Sequence, residues 1–265
     1  MTPAREGTLA GGLPYRAAGT GPPVIVLPGI SGDNADPTGG DRRSQLRAFR
    51  ALTGQFTVYV INRRPGLAAG ATIRDMADDY AYALTREFGE PVAVIGVSTG
   101  GSVAQMLAAD HPHLVSRLVL VASAHRLAER GRRAQRALAR HAEAGRPRRA
   151  WASMAPALAH RAPGRWGFTA LLWLLGARMT PADPADLLIT IAAEDGFDAW
   201  PDLPRITAPT LIVGGARDGF YSPQLFRETA DRIPDGRLLL HRRKGHAGTS
   251  AGAATVREIR RFLTP

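Results

Sequence analysis

The sequence predicts an α/β fold: a mostly parallel central sheet flanked by helices, with a helical insertion late in the chain. Three observations predict it. Short β-branched apolar runs alternate with helix-spaced segments from Val24 to Ser123, and again from Thr210 to Leu263, which is the order of parallel strands joined by helical crossovers. The runs are continuously apolar, as strands buried on both faces should be. Between about 124 and 204 the alternation stops and only helical patterns remain.

Each element follows in turn. Thr8-Leu9 and Gly11–Arg16 form an opening pair of short strands. Pro22-Pro23 introduces Val24–Leu27, a central parallel strand that stops at Pro28-Gly29-Ile30-Ser31-Gly32. A loop rich in Gly, Asp, Asn and Pro follows to about Gly40, and Asp41 is placed to cap a helix through Ala51. Phe56–Ile61 is the next strand. Thr72–Asp75 opens a helix with Met76, Tyr80, Ala83, Leu84 and Phe88 at helical spacing. Pro91–Ile95 reads as a buried strand, Gly101–Ala109 as a helix, and Val115–Ser123 as a further buried strand. In the insertion, Leu127, Ala134, Leu138 and His141 mark one helix, and Pro147, Pro156, Pro163, Pro181 and Pro184 cut the rest into short pieces. The alternation resumes with the strand Thr210–Val213, a helix near Pro223 to Arg232, the strand Arg237–His241 and a final helix near Ala253 to Leu263. The chain therefore divides into a core, 1–123 with 205–265, and a helical insertion, 124–204.

Length and composition bound the function. A chain of 265 residues can bury a large core within one α/β domain. Cysteine is absent, which excludes disulfides and thiolate metal sites. The N-terminus lacks the apolar core of a signal peptide, and the longest apolar stretch, Phe168 to Leu175, is too short to span a bilayer. The expectation is a cytoplasmic protein without a membrane partner. The net charge of +11 is concentrated: eleven arginines between His125 and Arg165 face only Glu129 and Glu143, a balance of +9. Lys244 is the only lysine, so the arginine excess reflects a composition bias more than phosphate recognition. No aromatic residue interleaves the arginines from Arg126 to Arg149, as a single-strand platform would need. The cluster reads as a solvated helix face, and no nucleic-acid partner is expected.

The chemistry centres on Gly96-Val97-Ser98-Thr99-Gly100. In a chain with 29 glycines this motif is weak by itself; its place between a buried strand and a helix gives it meaning. Such a turn holds the serine in a strained backbone conformation, above the sheet and beside the first free N–H groups of the helix. Glycines on either side let strand and helix close around it.

Two further pieces follow in chain order. Asp218 comes after Leu211-Ile212-Val213 and the turn Gly214-Gly215-Ala216-Arg217; His246 lies in Lys244-Gly245-His246-Ala247-Gly248, directly after the last strand. With nucleophile, acid and histidine in this order, the chain resembles the α/β-hydrolase family, in the form that carries a helical cap. The resemblance covers nearly the whole length apart from the cap. It implies that Ser98 is a nucleophile, that His246 in a loop is its general base, and that Asp218 fixes the imidazole tautomer. Some members place the acid after the preceding strand, but here that position reads Ser123-Ala124-His125, without a carboxylate. Asp195 and Asp198 are the reserve candidates.

The resemblance also implies an oxyanion hole from the backbone N–H groups of Thr99 and Ile30. Many relatives carry His-Gly where this chain has Pro28-Gly29, so one anchor of that loop is missing. The implied activity is a serine hydrolase acting on an ester-like bond of a small apolar molecule, with no metal and no organic cofactor. Serine rather than aspartate at the turn argues against carboxylate attack on epoxides or carbon–halogen bonds. The cap's Trp166, Phe168 and Trp173, with His125 at its entry, are candidates for the substrate pocket. The same set would also suit a lyase, a cofactor-free oxidative enzyme, or a ligand receptor on this scaffold.

Overall fold

The computed structural model describes residues 4–32, 34–35, 46–159, 162–250 and 252–264. Its strands are β1 (Arg5–Leu9), β2 (Leu13–Ala18), β3 (Pro23–Leu27), β4 (Thr57–Ile61), β5 (Val92–Val97), β6 (Val115–Val121), β7 (Thr210–Gly215) and β8 (Gly236–His241). They form one sheet in the order β1-β2-β4-β3-β5-β6-β7-β8. The opening pair adds antiparallel at one edge, and every pairing from β4–β3 to β7–β8 is parallel. β5 lies between β3 and β6 in the middle of the sheet, with Val94 opposite Ile25 on one side and Leu118 on the other. Ligand sites in open α/β sheets lie beyond the carboxyl ends of such central strands.

Side chains alternate across the sheet, so each strand feeds two cores. Val24 and Val26 join Val58, Val60, Ile95 and Val119 on one face, where the final helix supplies Val256, Ile259 and Leu263. Ile25 and Leu27 join Val94, Leu118 and Leu120 on the other. That second face is covered by α1 (Ile73–Glu87) and α2 (Thr99–Asp110). A capping box starts α1: the Asp75 N–H donates to the Thr72 hydroxyl (3.2 Å), and the Thr72 N–H donates to the Asp75 carboxylate (2.8 Å).

Between β6 and β7 the described residues hold α3 (Glu129–Glu143), α4 (Pro147–Ala152), α5 (Ala155–Leu158), α6 (Ala162–Met179) and α7 (Ala185–Asp195), and no strand. Leu138, Trp151, Leu172 and Leu187 from these helices extend the core that Ile25 and Leu120 begin. Asp186, in the first turn of α7, accepts hydrogen bonds from the N–H groups of Gly66 (3.0 Å) and Leu67 (2.8 Å), tying this segment to the loop after β4. After β7 come α8 (Pro223–Arg232), α9 (His246–Ser250) and α10 (Ala253–Leu263).

Three expectations change. The β6 strand ends at Val121, two residues early, because Ala122 takes a left-handed backbone (φ 50) while its N–H pairs with the Val213 carbonyl (2.8 Å). The helix after Ser98 starts at Thr99 rather than Gly101. The proline-cut insertion contains an 18-residue helix, α6, because Pro163 falls in its first turn, where a missing N–H costs nothing, and no proline follows until Pro181. The helix expected from Asp41 starts outside the described residues.

Candidate active site

Ser98 stands at the end of β5 as the residue before α2, with φ 52 and ψ −123. This left-handed conformation is rare for a residue with a Cβ and persists only where the surroundings fix it. Here the Ser98 N–H donates to the Val121 carbonyl (2.9 Å), and the Ser98 carbonyl accepts from the Gly101 N–H (2.7 Å). Space is the second constraint. A Cβ on Gly96 would lie 2.5 Å from the Gly101 Cα, and one on Gly100 would meet the Leu27 carbonyl and lie 2.5 Å from the Pro28 carbonyl. The two outer glycines of the motif therefore answer two separate close approaches.

The Ser98 Oγ is 3.1 Å from His246 Nε2, and His246 Nδ1 lies 2.9 and 3.1 Å from the two carboxylate oxygens of Asp218. With the proton on Nδ1, the imidazole donates to Asp218 and leaves Nε2 free to accept from the serine hydroxyl. The Asp218 side chain is fully buried and is further fixed by the N–H groups of Phe220 (2.8 Å) and Tyr221 (3.2 Å). The His246 ring packs against both Phe220 and Tyr221, with ring centroids at 4.6 and 6.1 Å. His246 is the first residue of α9 rather than part of a loop, and the turn closes through the Thr249 N–H to the Gly245 carbonyl (3.0 Å).

The loop Pro28-Gly29-Ile30 lies against the serine: a Cβ on Gly29 would sit 3.3 Å from that of Ser98. Thr99 opens α2, so its N–H is among the donors a helix cannot satisfy internally. Arg63, buried after β4, holds the loop by donating to the carbonyls of Pro28 (3.3 Å) and Gly29 (3.0 Å). Burial pushes its guanidinium below the ordinary value, and the nearby Tyr80 and Glu194 oppose that shift. Arg63 thus supplies an anchor for this loop.

Glu194 is a second unforeseen residue. It is buried at the end of α7 and accepts from the Ser102 hydroxyl (2.8 Å) and the Tyr221 hydroxyl (3.2 Å). Its other oxygen has no partner among the described residues. Burial pushes this carboxyl up to about 7, against the opposing bonds from Ser102 and Tyr221 and the Arg63 charge. Both residues left traces in the sequence. Arg63 follows a buried strand at the sheet's carboxyl edge, and Glu194 continues the core-facing register of Leu187 and Ile191.

The remaining candidates lie elsewhere. Asp195 pairs with Arg136 (2.8 Å), and Asp198 accepts from the Trp200 N–H (3.0 Å), so neither reserve acid meets His246. His125 is buried at the entry to the insertion, where its ring meets Thr229 (3.1 Å) and packs on Trp200 (5.3 Å between centroids). Burial pushes its imidazole below the ordinary value. Phe168 is half-buried against the core. Trp166 and Trp173 line a surface cleft along α6 with Thr169, Ala170 and Leu174, away from Ser98, and are 70% and 44% exposed, because α6 turns Leu172 and Gly176 inward instead. A cleft of about 830 Å³ runs between the start of α1 and α7 along Thr72, Met106, Leu188 and Phe197, and includes none of Ser98, Asp218 and His246. Among the described residues no three acidic or histidine side chains converge to hold a metal ion.

Comparison with known proteins identifies the family. The family model described as "Alpha/beta hydrolase family" matches residues 24–258. The chain is 30% identical over 259 residues to the "Putative non-heme bromoperoxidase BpoC" of Mycobacterium tuberculosis, covering 89% of this chain and 91% of that one. It is 27% identical over 236 residues to the pimeloyl-[acyl-carrier protein] methyl ester esterase of Chromobacterium violaceum, covering 86% and 89%. Among solved structures, the enol-lactonase from Burkholderia xenovorans LB400 superposes with a TM-score of 0.80 at 21% identity, over 98% of this chain and 100% of that one.

Proposed function

The chain belongs to the alpha/beta hydrolase family, and we propose that within it this protein is a serine hydrolase cleaving a carboxylic ester-like bond of a small apolar molecule through an acyl-enzyme. The observation that carries the reading is the continuous relay from Ser98 Oγ through His246 to buried Asp218.

In this reading His246 Nε2 takes the hydroxyl proton as Ser98 Oγ attacks the substrate carbonyl. The negative oxygen of the tetrahedral intermediate is received by the N–H groups of Thr99 and Ile30. Support for Ile30 comes from the position of its loop beside Ser98 and from the Arg63 clamp. Asp218 stabilises the imidazolium, which then returns the proton to the leaving alcohol as the carbon–oxygen bond breaks. Water, deprotonated by His246, attacks the acyl-enzyme and releases the acid. Phe220 and Tyr221 around His246 favour an uncharged acyl group. The segment 124–204 serves as the cap: Ala157 packs directly on Gly219, beside the acid, and Met179 packs on Gly32, beside the Ile30 loop. The names of two neighbours, a methyl ester esterase and an enol-lactonase, suit the same bond class. The likeness to BpoC favours a cofactor-free oxidative activity as the second reading.

The test is turnover of a series of p-nitrophenyl esters by the parent, Ser98→Ala and His246→Ala. Turnover should fall by about ten-thousand-fold or more in both variants, and a fluorophosphonate should label the parent at Ser98. Full turnover by Ser98→Ala would remove the hydrolase reading. Bromide oxidation without ester turnover would favour the second.

A further inference from the structure

We propose that the outward face of α6, with the arginines around it, docks on an anionic lipid surface. The proposal does not depend on the reaction assigned to Ser98. Seven large apolar residues among those described are exposed, and five of them, Trp166, Leu171, Trp173, Leu174 and Leu175, belong to this one helix. Leu172 and Gly176 face inward, and Gly176 packs against the backbone of Pro147 and Arg148 at the start of α4. The helix is thus apolar on both sides, and only one side has a partner. Contiguous exposed apolar surface of this kind marks a contact site.

Charge identifies the partner. From Glu143 to Asp183 the chain has no acidic residue, but six arginines. Arg148 lies over the Trp173 ring (4.5 Å) and Arg165 over that of Trp166 (5.8 Å). Arg146, Arg149 and Arg178 are exposed nearby. None of these five is paired with a carboxylate among the described residues. A face of tryptophan and leucine rimmed by arginine suits a helix lying in the headgroup boundary of an anionic membrane, with its guanidinium groups among the phosphates. A second copy would bring two uncompensated arginine clusters together. A nucleic-acid strand could stack on the tryptophans but would leave three leucines in water. No helix among the described residues is long and apolar enough to cross a membrane, so contact is at the surface.

The test is flotation of the full chain with vesicles of phosphatidylcholine alone and of phosphatidylcholine mixed with phosphatidylglycerol, with tryptophan emission followed in parallel. The protein should float with the mixed vesicles only, with a blue shift in emission. Trp166→Ser/Leu174→Ser, and separately Arg148→Glu/Arg149→Glu, should each lower the bound fraction about tenfold with unchanged circular dichroism and thermal unfolding. Absence of flotation with mixed vesicles would overturn the proposal. So would undiminished binding by Trp166→Ser/Leu174→Ser, or a solution dimer that this double variant dissociates.

Discussion

Helices α2 and α6 are both apolar around their circumference, yet they occupy opposite environments. From Thr99 to Ala109, α2 is buried without interruption. α6 leaves Trp166 and Leu174 70% and 60% exposed. Hydrophobicity therefore does not decide which helix is enclosed. Side-chain size does. α2 carries Gly100, Gly101, Ser102 and several alanines, so rigid neighbours close on it from every side: the Leu27 and Pro28 carbonyls against Gly100, and the Ser123 side chain against Gly101. α6 has one such point, Gly176, and presents tryptophan and leucine elsewhere.

The largest expected effect breaks the enclosure of α2. Gly100→Ala sets a methyl group against the carbonyls of Leu27, at the end of β3, and of Pro28, in the loop that also carries Ile30. It should cost about 3 kcal/mol or more in urea unfolding, with ester turnover falling further than stability because the loop is displaced. Gly167→Ala on α6 meets nothing within 4 Å and should be neutral, or stabilising by up to about 1 kcal/mol. Equal losses at both glycines would refute the size argument.

The second effect tests the seam where α7 meets α2. Glu194 is driven up to about 7 by burial from an ordinary value of 4.5. Its folded form therefore holds a proton that the unfolded chain releases. The stability this gives is fully present below about pH 4.5, declines as pH rises, and is gone above about pH 7, a span worth roughly 3 kcal/mol. Glu194→Gln stays neutral throughout. Relative to the parent it should be nearly unchanged near pH 4.5 and more stable by up to about 3 kcal/mol near pH 8. A parent–variant difference that is flat across this range would mean that Glu194 titrates in the folded protein as it does in the unfolded chain.

These two sites also show what the sequence could reveal. The alternation of strands and helices, the serine turn, Asp218 and His246 are legible because each depends on a local pattern, an apolar run followed by a turn, repeated in a fixed chain order; the order of strands within the sheet is not. Arg63 and Glu194 are not, because their roles arise from elements distant in sequence: Arg63 reaches Pro28 and Gly29 from the next strand, and Glu194 meets Ser102 across 92 positions. The direction in which the tryptophans of α6 point was hidden for a related reason. An apolar helix does not reveal which of its sides faces inward, so Trp166 and Trp173 were assignable to a pocket or to the outer surface until Leu172 and Gly176 fixed the rotation.

The smallest expected effect is the most discriminating for that rotation. Leu107 on α2 is fully buried, whereas Leu174 on α6 is 60% exposed. Leu107→Ala should cost about 2–5 kcal/mol through lost burial and the cavity it leaves. Leu174→Ala should stay within about 0.5 kcal/mol of the parent in urea unfolding, because little is buried there to lose, and turnover of a soluble ester should not change. If Leu174→Ala were as costly as Leu107→Ala, the outer face of α6 would already be covered in the protein alone, and its apolar side chains would need no external partner.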